Sequence, residues 1–163
     1  MLGEKVTVRE KPYLKKTLSK LKGHAVPLFG YHILREHVLA EIAGEYQGSI
    51  LYWAGKNLSD QLPVTSYEEC IDLFSELGWG QLYIVKTEKN KKVFMLESPF
   101  FMDRHIDSNE ATFALECGFL AEVVSKLEQQ ITQGEFTTTQ KKESLSIEFT
   151  IHGQDKNLAS PKK

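Results

Sequence analysis

The chain is poor in the residues that usually announce chemistry. It has two cysteines, Cys70 and Cys117, too far apart to match any metal-ligand spacing. Both fall on apolar faces of predicted helices, where a free thiol acts as a small hydrophobe. That pattern fits a reducing, cytoplasmic compartment. No apolar run reaches the roughly 18–20 residues needed to span a bilayer, and no secretory h-region opens the chain. Glycines are too scattered for a phosphate loop. No HExxH, CxxC or HxH string occurs, so neither a metal nor a cofactor is expected. Charge of one sign is also missing. Twenty basic residues meet 22 acidic ones, and a net charge of -2 gives no general pull towards nucleic acid or membrane.

What is present is apolar helical surface. With 163 residues, 41% of them apolar, the chain is long enough for one real core in one domain. Residues 1–25 read as a basic, mostly flexible arm: Lys5, Arg9, Lys11, Lys15, Lys16, Lys20 and Lys22 face only Glu4 and Glu10. A short turn of helix around Tyr13–Leu21 has little to bury. Residues 26–152 read as the domain and 153–163 as a polar, mobile tail.

Within the domain the pattern is first helical. Leu28, Tyr31, Leu34, Val38 and Ile42 recur at three- and four-residue steps between Pro27 and Gly44. A second helix over Ile50–Leu62 puts Ile50, Trp53, Ala54 and Leu58 on its apolar face, with Tyr52 on the flank. Ser66, followed by Glu69, is a capping-box start for a third helix that carries Cys70, Leu73, Phe74 and Leu77 and stops at Gly78. Trp79, in the Gly78–Gly80 connection, is expected to fold over the core edge. Gln81–Thr87 and Lys92–Glu97 read as strands joined by a hairpin at Lys89-Asn90. After them, Ala111–Glu128 is a helix with two sticky sides, expected to end near Gly134. Ala114, Cys117, Gly118, Ala121 and Ser125 form a stripe of small residues; Phe113, Leu120, Val123, Val124 and Leu127 form a broad apolar stripe beside it. The large stripe belongs on a sheet, and the small stripe should receive the Ile50–Leu62 helix closely. In the last strand Leu145, Ile147, Phe149 and Ile151 alternate with polar residues. The order ααα-ββ-α-ββ predicts an α+β fold: a four-stranded antiparallel sheet with helices on one face.

The strings LFGYHILRE, ILYWAGKNL, LFSELGWGQL and ALECGFLAE, in this order, resemble the YslB-like family of uncharacterised bacterial proteins, from about Pro27 to Ile151. The ECGFLAE helix is more distantly similar to the Cys-Gly-x-Leu-x-Gly helix of TRAPP Bet-type subunits and vinyl-reductase domains. Cys117 and Gly118 match that motif, while Ala121 and Glu122 fall where it has its second small residue. The resemblance implies an α+β fold, dimerisation through helices, and an apolar pocket for a ligand or acyl chain. The stretch matching the acylated cysteine, Leu62–Ser66, has no cysteine, so an acyl thioester is not carried over.

Cysteine catalysis would need a base in reach. No positive group flanks Cys117 in sequence, and burial should raise its pKa and lower its reactivity. The chain is therefore expected to be a non-enzymatic, dimeric interaction module with an apolar ligand cavity near Trp53, Ala114, Cys117, Gly118 and Ala121. Tyr52, Glu116 and Leu120 are the interface candidates; Glu116 shares a face with Leu120 and Val123, and Arg35 is a candidate partner for it. The alternatives are a sensor of acyl or other apolar small molecules and, by fold analogy alone, a relative of vinyl reductases.

Overall fold

Burial against a sheet explains most of the architecture. A computed structural model describes residues 13–98, 113–140 and 145–155. Six α-helices occur among them: α1 (Tyr13–Leu21), α2 (Leu28–Ile33), α3 (Leu39–Ala43), α4 (Gln47–Gln61), α5 (Tyr67–Glu76) and α6 (Ala114–Glu128). A π-helical turn, Leu34–Val38, joins α2 to α3, and a 3-10 turn, Gly44–Tyr46, joins α3 to α4. The strands are β1 (Gln81–Glu88), β2 (Lys91–Ser98), β3 (Gln130–Gln140) and β4 (Leu145–Asp155), all antiparallel, in the order β1-β2-β4-β3.

The predicted α+β fold is present, with helices on one face of an open sheet. The alternation in β4 decides which face. Leu145, Ile147, Phe149 and Ile151 are wholly buried against the helices, whereas Glu148 and His152 point to solvent. α6 lies over β3 and β4. Phe74 of α5, Trp79 and Phe119 of α6 meet edge to face, with centroids 4.9, 5.6 and 6.0 Å apart, and close one end of the core. α5 starts as its sequence implies. Ser66 Oγ accepts a bond from the Glu69 amide at 3.2 Å, and the Glu69 carboxylate accepts from the Thr65 amide at 2.7 Å. Gly78, at φ +72°, ends it.

Four expectations change. α6 ends at Gln129, which takes the left-handed conformation; Gly134 sits inside β3, where a Cβ would press on Cys117 Sγ and Ile151. α4 buries Leu51, Gly55 and Ser59, not Ile50, Trp53 and Ala54. The closest packing, not the largest side chains, sets that face. Of the stripe Leu28–Ile42, Tyr31 is half-buried and the rest is exposed, and none of it is buried in the core. The helix expected at Tyr13–Leu21 of the arm is present, but it is not left without packing: it rests Leu14 and Leu18 on the core. The remainder of that arm (1–12) and residues 156–163 of the expected tail lie outside the described residues; residues 153–155 belong to β4.

The pivotal contact is between α4 and α6. A Cβ on Gly118 would collide with the backbone carbonyl of Tyr52, and one on Gly55 would collide with that of Leu115. Farther along, Lys56 meets Glu122 at 3.6 Å, and Lys126 meets Asp60 and Ser59, each at 2.7 Å. The matching order along both helices means that they run parallel, backbone against backbone. Gly118→Ala should therefore lower the unfolding free energy by about 3 kcal/mol in urea titrations. Gly30→Ala, in open space on α2, should raise it by up to about 1 kcal/mol.

Candidate functional site

Two concave sites flank the α4–α6 contact. The first is an open groove of about 1110 Å³ between α4 and β3. Tyr52, Trp53 and Lys56 of α4 form one wall, Ile131–Phe136 of β3 the other, and Ala114 and Cys117 the floor. Tyr52 ties the walls together, its hydroxyl accepting a hydrogen bond from the Gly134 amide at 2.9 Å. Burial raises the pKa of that phenol, so it stays protonated. Lys56 stands 5.3 Å from the Trp53 ring centroid and leaves Trp53 largely exposed at the rim.

Cys117 is the one nucleophile of the floor, and it is inert. Burial, helped by the nearby Glu116 and Glu135 carboxylates, pushes its thiol up to about 12; burial does the same for Cys70. Both stay protonated at neutral pH. Among the described residues no cluster of three His, Cys, Asp or Glu side chains could hold a metal ion.

The second site lies on the other side of α4. The π-turn turns Arg35 inward, onto Glu116 of α6, where Nη2 bonds Oε1. Nη1 donates to the Tyr31 hydroxyl at 3.0 Å, and the guanidinium lies 5.9 Å from the Phe113 ring centroid. Arg35 is 6% exposed and Glu116 1%. Burial pulls the Arg35 pKa down, but Glu116 and Tyr31 outweigh it and hold the pKa above its ordinary value. Above Arg35 and Tyr31 opens an almost wholly apolar pocket of about 260 Å³, walled by Leu34, Val38, Leu39, Leu51 and Leu115.

The structure thus divides the sequence candidates. Trp53, Ala114 and Cys117 come together in the groove, and Tyr52 joins them. Gly118 and Ala121 do not: the first is covered by the Tyr52 backbone, and the second is buried with its carbonyl taken by Thr132 Oγ1 at 2.5 Å. Glu116 and Leu120 are corrected as interface candidates, because both are buried inside the chain, Glu116 on Arg35 and Leu120 in the core. The apolar pocket beside Arg35 had no clear sequence signal, since a π-turn leaves no motif.

This arrangement defines a class first. It is the open-sheet α+β fold shared with a vinyl-4-reductase family protein of Methanocaldococcus jannaschii, at a TM-score of 0.55 and 15% identity over 88% of this chain and 90% of that one. A mutant H-NOX of T. tengcongensis is similar at a TM-score of 0.50 and 12% identity, over 81% of this chain and 76% of that one. Such low identities establish the fold alone. Within that class the chain belongs to the family of proteins of unknown function DUF2507, whose model matches residues 28–152. It is 36% identical over 117 residues to the uncharacterized protein YslB of Bacillus subtilis (strain 168), which is 72% of this chain and 79% of that protein.

Arg35→Met strands a buried carboxylate and should cost about 3–5 kcal/mol, whereas Arg35→Met with Glu116→Leu should recover most of that loss. A double-mutant cycle in denaturant measures it; additive losses would mean that the pair is not coupled.

Proposed function

We propose that the chain is a non-enzymatic interaction module that works as a homodimer through its N-terminal helices. One observation carries this reading: between Lys22 and Ile50, Arg35 alone is buried. Phe29 is 71% exposed, Ile42 78% and Leu34 59%, on helices with no apolar residue buried in their own domain. Isolated helices this short are marginal in water, and large apolar side chains exposed on one segment in this number suit an interaction surface. A second copy is the simplest partner, since twofold homodimers are the commonest oligomers and their interfaces are the more apolar ones. The distant fold likeness to a vinyl-4-reductase family protein supplies the same architecture and no more.

The non-enzymatic part rests on the state of the candidate groups. Both thiols are protonated, and Arg35 and Glu116 neutralise each other away from the groove. The buried free thiols suit a reducing, cytoplasmic setting. A second reading, a sensor of an apolar small molecule, is favoured by the pocket of about 260 Å³ over Arg35. Native mass spectrometry of protein from its own host would show the bound mass.

Light scattering at tens of micromolar should give the mass of a dimer. Phe29→Asp with Ile42→Asp should give a monomer whose thermal midpoint differs little from that of wild type under dissociating dilution, because both side chains are exposed. A wild-type monomer would overturn the proposal.

A further inference from the structure

We infer that a second copy of the chain closes the apolar pocket beside Arg35, so that a neutral apolar ligand is held at the dimer interface and ligand binding and dimerisation strengthen each other. The inference rests on the dimer proposed above and says what that dimer encloses.

The pocket has a fixed floor and an open lip. Leu51 of α4 is 9% exposed and Leu115 of α6 is half-buried, and both stand on the two helices packed backbone to backbone. Leu34, Val38 and Leu39, on the π-turn and the start of α3, are 59%, 38% and 37% exposed. Ligand sites normally cover about 70–90% of the bound molecule's surface. A molecule resting on this floor between such exposed walls keeps its outer side in water. The site is incomplete in a single chain.

The walls point to what completes it. Tyr31, Leu34 and Val38 lie on the stripe that continues to Leu28 at one end and Ile42 at the other, and those two are 57% and 78% exposed. Leu28, Leu34, Val38, Leu39 and Ile42 together expose roughly 500 Å² of apolar surface, close to the apolar share of the about 800 Å² that each partner of a stable interface buries. A dimer formed through this stripe passes over the mouth of the pocket. Filling the pocket also packs Leu34, Val38 and Leu39 against Leu51 and Leu115, which steadies the segment that forms the dimer face.

The surroundings of Arg35 set the ligand's charge. A carboxylate would have to displace Glu116 from the guanidinium and strand it at 1% exposure, and a cation would meet the guanidinium itself. The ligand that fits is therefore neutral. An apolar cavity of about 150 Å³ takes up benzene, so the pocket of about 260 Å³ has room for two fused rings or a chain of about ten carbons.

Naphthalene is the probe, and sedimentation equilibrium of the full chain reads the result. Saturating naphthalene should lower the dimer dissociation constant by at least about fivefold. Leu28→Asp with Ile42→Asp, neither of which lines the pocket, should give a monomer that binds naphthalene at least about fivefold more weakly than the wild-type dimer does. Leu39→Trp fills the pocket from its exposed lip and should stop naphthalene binding while circular dichroism shows the fold intact. A dimer that takes up naphthalene without becoming tighter would overturn the inference and leave the dimer standing. So would a dimer that naphthalene weakens, since ligand and second copy would then compete, and so would a dimer that takes up none. Undiminished binding by Leu39→Trp would put the probe elsewhere and overturn it too. A wild type that is monomeric with and without naphthalene would overturn the inference together with the dimer on which it rests.

Discussion

The backbone-to-backbone contact of α4 and α6 is the constraint on which the rest depends. Gly118 admits the Tyr52 carbonyl, and Gly55 admits that of Leu115. Because α6 already covers β3 and β4, seating α4 this tightly also fixes where α4 stands relative to the sheet edge. Tyr52 then reaches Gly134, and a groove opens between helix and strand. On the opposite side the same seating brings Leu51 and Leu115 together as the base of the apolar pocket. Both concave sites are consequences of one helix crossing.

Against that rigid body, the segment from Leu28 to Tyr46 is weakly held. Its one buried side chain is an arginine on a glutamate, a kind of contact that contributes little net stability because desolvation offsets attraction. Removing one partner is costly, however, so the pair sets position more than it adds strength. A polar anchor at the root and apolar side chains in solvent are the two observations on which the proposed dimer rests.

Much of the fold was legible in the chain. The strict alternation of Leu145 to Ile151 announced β4 and its buried face, Ser66 with Glu69 announced the start of α5, and the two stripes of the Ala111–Glu128 segment announced a helix buried on both sides. The small stripe also led to the close approach of α4. The face of α4 itself was misread, because Ile50 and Trp53 are larger and more apolar than Gly55 and Ser59. Hydrophobicity marks burial only when burial is by area; here it is by proximity, and the small residues win. Arg35 was named from the sequence as the candidate partner of Glu116, 81 residues away, and the two do pair; what the sequence did not show is that the pair is buried inside the chain, which depends on a π-turn. Of the groove, Ala114 and Cys117 shared a stripe of the helix, Trp53 was joined to them only with the pocket that the family resemblance implies, and the β3 wall required the strand register.

Residue-resolved amide hydrogen exchange, followed as a function of protein concentration, tests the central claim most directly. Amides of Gly118–Val124 should exchange only by global unfolding at every concentration, whereas those of Leu28–Ala43 should exchange rapidly in dilute protein and slow as concentration rises. Equal, concentration-independent protection of the two segments would contradict the account, since the N-terminal helices would then be held by their own domain.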